Sequence, residues 1–166
     1  MSSVMQPLRV EHHALAAHLE YLRRVADEVG EVDGKVTRAA VDDVYDFLVR
    51  HLLPHAQAEE EVLYPAVDRI LGAAGATATM SRDHVEVIRF TERLGELRGM
   101  LRAGQRTPTL VRDLRATLYG LHAIVVLHFA KEEENYVPLL DSALDADAAD
   151  ELFRRMGEAA VRAVDV

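Results

Sequence analysis

The chain has 166 residues, a formal charge of −9 and no cysteine. The absence of thiols excludes disulfides, thiolate zinc sites, iron–sulfur clusters and a cysteine nucleophile, so any metal must sit on nitrogen and oxygen donors. The acidic balance, with Lys and Arg scattered rather than clustered, argues against nucleic-acid binding.

Sparse Gly and Pro and the absence of Trp favour an all-helical chain over a sheet. A first helix is predicted over about 7–29, opened by Pro7, with Leu8, His12, Leu15, Leu19 and Leu22 in one stripe. Residues 30–34 read as a turn. A long second helix is predicted over about 37–71, with the stripe Val41, Val44, Leu48, His51/Leu52, His55, Glu59, Val62/Leu63 and Val67. Pro54 lies inside it and should kink it, because proline lacks the N–H and its ring clashes with the carbonyl of Arg50. Residues 72–78 (GAAGATA) read as a loop or the frayed start of the next helix.

A third helix is predicted over about 79–103, with His84, Val87/Ile88, Thr91, Leu94, Leu97 and Leu101 in line. Thr107 and Pro108 form a cap and first-turn pair for a fourth helix running to about 140. Its stripe is Leu110, Leu114, Leu118, Leu121, Val125, His128, Glu132 and Tyr136. An acidic small-residue stretch follows, then a short amphipathic helix near 147–163. No linker divides the chain, so one domain over 1–166 is expected, with the bundle at about 7–141. The start, MSSVMQPLRVEHH, has no apolar signal region, and the longest apolar run, 123–127, falls far below a membrane span of ~20 residues. The expectation is a soluble cytoplasmic protein.

One motif occurs twice. Residues 55–65 read HAQAEEEVLYP and residues 128–138 read HFAKEEENYVP. An i,i+4 spacing rotates about 40° around a helix, so His55 and Glu59 share a face, as do His128 and Glu132. Glu11-His12 likewise matches Asp83-His84. Each half is then a helical hairpin, with one His early in its first helix and His-x-x-x-Glu late in its second. Two like hairpins pack as an antiparallel up-down four-helix bundle, which brings His12, His55, Glu59, His84, His128 and Glu132 to one level. Four imidazoles and two carboxylates suit a pair of iron or manganese ions. Burying the two acids uncompensated would cost several kcal/mol each, and a dication supplies the compensation.

The pattern His…His-x-x-x-Glu…His…His-x-x-x-Glu resembles the hemerythrin-like (HHE cation-binding) domain over about residues 8–140. That resemblance implies a non-haem di-iron centre in a four-helix bundle, bridged by the two carboxylates and an oxo or hydroxo group, with manganese or zinc less suited. The oxygen carriers of the family have a second His one turn after the third-helix His; here that position is Ile88. The resemblance therefore implies four His and two Glu, with an open position on both irons unless an extra protein ligand closes one. Two open positions favour redox chemistry over simple oxygen carriage.

The remaining polar residues read less sharply. His51 reads as an additional ligand, a supporting contact or part of an access path. Tyr136 reads either as a hydrogen-bond donor to a bridging carboxylate or bound oxygen species, or as core. Tyr64 reads as packing. Glu60, Glu61, Glu133 and Glu134 rotate off the seam and read as surface charges, with Glu60 or Glu133 as a ligand the minor alternative. His13, His18 and His122 read as surface or structural. A ferritin-like oxidase is disfavoured because no Glu stands three residues before a His in the second or fourth helix. Zinc hydrolysis is disfavoured because HExxH is absent.

The expected function is a di-iron protein that binds or reacts with oxygen, peroxide or nitric oxide, peroxide dismutation included, with no catalytic residue beyond the ligands. Catalytic turnover itself is left open. The alternatives are iron sensing or handling, an oxygen sensor without turnover, and a metal-free interaction module. No protein partner is legible, although the C-terminal helix is a candidate partner surface.

Overall fold

The computed structural model describes residues 3–164. Its helices are α1 (Gln6–Glu28), α2 (residues 34–71), α3 (Ala78–Arg102), α4 (residues 108–143) and α5 (Ala146–Val164). There is no strand among the described residues. Each of α1 and α3 packs against both α2 and α4, and short loops join successive helices. The result is the antiparallel four-helix bundle that the repeat predicts, with α5 added.

Local chemistry sets the helix ends. The Asp33 side chain accepts from Lys35 N at 2.7 Å, so α2 starts at Gly34, one turn before the predicted Thr37. Thr107 accepts from Leu110 N at 3.1 Å, the cap expected for α4. Gly72 ends α2 in the left-handed conformation at φ 65°, which glycine adopts without Cβ strain. The following loop is organised by Asp68, whose carboxylate accepts from Gly75 N, Thr77 N and Thr77 Oγ1. At the other edge, Asp141 accepts from Ser3 Oγ and Met5 N and anchors the start of α1 to α4.

At the prolines the structure shows widened helical turns. Three π turns interrupt the long helices: Leu48–Leu52, Glu59–Leu63 and Glu132–Tyr136. Each is closed by an N–H reaching back five residues, from Leu53 to the Leu48 carbonyl, from Tyr64 to Glu59, and from Val137 to Glu132. The next residue in every case is a proline: Pro54, Pro65 and Pro138. Proline offers no N–H and crowds the carbonyl four residues back, and a widened turn relieves that crowding while the helix continues.

The interior has three layers. One apolar cluster holds Leu19, Leu22, Val44, Leu48, Leu94, Leu97, Leu114, Leu118 and Leu121, and reaches Leu52, Val87, Val125 and Phe129. A second holds Met5, Leu8, Val62, Leu63, Tyr64, Met80, Val137 and Leu140. Between them lies a buried polar layer formed by His12, His55, Glu59, His84, His128 and Glu132. α5 packs along residues 53–63 of α2, inserting Leu152, Met156 and Ala159 into the second cluster. No described helix is long and apolar enough to cross a membrane.

Candidate metal centre

The polar layer gathers all six expected donors, and both acids are 0% exposed. His12 Nε2 lies 3.3 Å from Glu132 Oε2 and 3.8 Å from Glu59 Oε1. His55 Nε2 is 2.9 Å from Glu59 Oε1. On the other side, His84 Nε2 and His128 Nε2 stand 3.2 and 3.7 Å from Glu59 Oε2, and His128 Nε2 is 3.6 Å from Glu132 Oε1. Two clusters result, His12–His55–Glu59–Glu132 and His84–His128–Glu59, each compact enough to hold a metal ion. They share Glu59, whose two oxygens face opposite ways.

Each imidazole is fixed from behind. The Nδ1 of His12 pairs with Glu133 at 2.8 Å, that of His55 with Glu11 at 3.0 Å, that of His84 with Glu60 at 2.7 Å and that of His128 with Asp83 at 3.2 Å. A carboxylate at Nδ1 holds the proton there and turns the Nε2 lone pair inward. Glu133 is tied in turn to Arg9, Glu60 to Ser81 and Asp83 to Lys131.

The consequence is a convergence of lone pairs. The Nε2 atoms of His84 and His128 are 3.0 Å apart. His12 Nε2, His55 Nε2, both oxygens of Glu59 and Glu132 Oε2 are buried without a hydrogen-bond partner among the described residues. Such an arrangement repels itself unless a cation sits in it. With protons as the only cations, burial opposes charge on His12, but Glu132 and Glu59 outweigh it and lift this imidazole to about 9. His55 rises likewise: burial is outweighed by Glu59 and Glu11. Burial favours the neutral form of Glu59, yet His55 and the other imidazoles hold it well below the usual carboxylate range. Burial and the charge of Glu59 push Glu132 up. The donor set fits a metal on all these grounds, with neutral imidazoles and carboxylates as nitrogen and oxygen ligands.

A seventh polar group was not legible in the sequence. The Tyr64 hydroxyl donates to Glu132 Oε1 at 2.9 Å and lies 3.2 Å from His128 Nε2 and 3.4 Å from His84 Nε2. In a regular α-helix Tyr64 would point about 140° away from Glu59; the π turn between them brings position i+5 round to the same face. Burial, then the charges of Glu59 and Glu132, keep its phenol protonated in the absence of a metal. Tyr136 is only half-buried and meets Tyr64 edge-on at 6.2 Å, so it reaches the centre through Tyr64 alone.

His51 is exposed, with its ring over Phe47 at 6.2 Å, and does not join the donors. Its place in the π turn at Leu48–Leu52 explains the difference. Ile88 is 44% exposed and lines an outer groove rather than the centre, and the polar group beside His84 and His128 is the Tyr64 hydroxyl. Glu60 and Glu133 are neither free surface charges nor inward-facing donors; they orient His84 and His12. The sequence signal for that role was the acid following each inward Glu, paired across the repeat with the acid preceding each solitary His.

No curated protein and no solved structure matches the chain. The family model described as "Hemerythrin HHE cation binding domain" matches residues 4–140, which include all six inward-facing donors and Tyr64. The chain is thus a metal-binding bundle of that kind and belongs to the hemerythrin HHE cation-binding domain family.

Proposed function

We propose that the protein holds two iron ions, one at His12, His55, Glu59 and Glu132, the other at His84, His128, Tyr64 and the far oxygens of the same two acids. Its function on this reading is to bind or transform small oxidants and diatomic gases such as oxygen, hydrogen peroxide or nitric oxide. The observation that carries it is the facing set of imidazole lone pairs around two shared carboxylates. Charge supports a metal there: the carboxylates Glu11, Glu59, Glu60, Asp83, Glu132 and Glu133 outnumber the cations paired with them, Lys131 and Arg9, and Arg9 is shared with Asp141.

A bound iron pair would supply electron transfer and coordination of the small molecule. The chain's part is to hold the pair and to shape the space beside it. That space is a small void of about 10 Å³, lined by Leu52, Ala56, Val87, Val125, Phe129 and the donors His55, Glu59, His84 and His128. A volume of this order takes about one water-sized molecule. Tyr64 stands on the His84–His128 side and gives that side one more oxygen donor. The two metal positions are therefore unequal, and the position at His12 and His55 is the better candidate for an exogenous ligand.

Metal analysis of the iron-loaded protein tests the reading: about two irons per chain are expected, and a content near zero after anaerobic loading would end it. Oxygen release from peroxide would assign an enzyme; a stable, reversible oxygen adduct would assign a carrier or sensor. A second reading, iron sensing, draws on one observation: α5 lies on the stretch of α2 that carries His55 and Glu59. Limited proteolysis with and without iron separates the two, because a sensor would release α5 on metal loss.

A further inference from the structure

The two halves of the centre are related by the repeat, and they differ at one wall. At the 73-residue offset, Leu52 corresponds to Val125, His55 to His128 and Glu59 to Glu132, but Ala56 corresponds to Phe129. The Phe129 ring stacks on His12 at 4.4 Å and 11° and meets His55 edge-on at 5.8 Å, which covers that face of the layer. Ala56 presents only a methyl group. Behind it lies a groove of about 520 Å³, walled by Val49, Leu53, Pro54, Gln57 and Ile88. The residues common to this groove and the inner void are Ala56 and His84.

His84 cannot readily move aside, being held by Glu60 at Nδ1 and facing Glu59 at Nε2. Ala56 is therefore the part of the partition whose size sets what passes. The groove walls are apolar apart from Gln57, and at its charged rim Glu61 and Arg162 neutralise each other at 2.8 Å, which leaves Glu60 as the net charge. An apolar passage with an acidic rim passes neutral molecules and slows anions.

We infer that small neutral molecules reach the centre through the groove beside Ala56, and that Ala56 is the residue that determines which of them enter. The inference rests on the di-iron reading above and adds the route and its selectivity. A passage residue has a kinetic signature: it alters association and dissociation together and leaves the equilibrium unchanged.

The experiment uses the full iron-loaded chain, with nitric oxide as the neutral probe and azide as the anionic one. Stopped-flow rates are compared among wild type, Ala56→Val, Ala56→Phe and Phe129→Ala, with iron content and circular dichroism recorded for each. Ala56→Val and Ala56→Phe are expected to slow nitric oxide association and dissociation progressively, by about tenfold or more for Phe, with affinity and iron content retained. Azide is expected to associate more slowly than nitric oxide in wild type, with the gap narrowing as salt rises. Rates within about twofold of wild type in folded, iron-replete Ala56→Val overturn the proposal, as does slowing that comes only with altered affinity. Crystals of the iron-free protein under oxygen pressure give a readout independent of iron. Oxygen density in the void of wild type, lost in Ala56→Val, supports the route, and equal density in both refutes it. A chain that takes up no iron sinks the di-iron reading, while the pressurised crystals still decide the passage.

Discussion

The hydroxyl of Tyr64 donates to Glu132 at 2.9 Å, joining the end of one π turn to the start of another on the opposite hairpin. This bond crosses the two halves at the layer where the donors meet. It also places a phenol within 3.4 Å of two inward-facing imidazole nitrogens.

With iron bound, Tyr64→Phe is expected to remove any phenolate-to-iron absorption in the visible region. Iron content should fall little, because four imidazoles and two carboxylates remain. Absorption spectra of the two iron-loaded proteins provide the check. An unchanged spectrum would show that Tyr64 contacts Glu132 alone.

Glu60→Gln and Glu133→Gln should each weaken iron binding by roughly 10–100-fold, since each frees an imidazole to rotate or change tautomer. Chelator competition measures this. Glu86→Gln, which touches only Arg82 and Arg89, should leave the affinity unchanged.

The prolines make a separate test. Pro65→Ala restores an N–H four residues after Glu61, and the π turn can then revert to α-helix. The metal-free protein is expected to be as stable as wild type or more so. The iron-loaded protein should lose affinity, because Glu59 and Tyr64 drift apart in rotation. Thermal melts with and without iron separate these effects.

Removing the metal leaves the repelling donors at the middle of the core. At free iron about a hundredfold above its dissociation constant, each bound iron adds about 2.7 kcal/mol to stability, so a pair adds about 5.4 kcal/mol. For a chain of this size that is a rise of roughly 11–22 °C in the melting midpoint. Calorimetry across an iron titration should show it, and an iron-independent midpoint would contradict the site.

Asp141 gives the pH dependence away from the centre. Burial acts to raise its carboxyl, but the Met5 N–H, Ser3 and Arg9 outweigh it and hold the group below its ordinary value. A lowered folded-state value means that the stabilisation is present at neutral pH and is lost as pH falls through that value. Asp141→Asn should therefore cost about 1 kcal/mol at pH 7. The gap from wild type should close below about pH 4, measured by urea melts of the metal-free protein.

Much of this was readable from the residues. The repeat supplied the hairpins, and leucine spacing put His12, His55, Glu59, His84, His128 and Glu132 on inward faces. What escaped has one physical origin. A reading at about 100° per residue holds for α-helix, and three π turns break that count near the centre. An α-helical count lets His51 reach the centre as a ligand, but it is exposed; the same count gives Tyr64 a packing role, but its hydroxyl faces the donors. Ile88 failed for another reason: apolar character does not say whether a side chain faces the core or a groove. The carboxylates behind the imidazoles needed the bundle itself, because all four lie on a different helix from the His they hold.

The counterpart of Tyr64 in the second half is Val137, wholly buried and without a polar atom in its side chain. Together with Ala56 opposite Phe129, this mismatch breaks the symmetry of the repeat at the centre. On the di-iron reading proposed above, the two halves would offer their metals unlike surroundings, with the oxygen of Tyr64 available only beside His84 and His128.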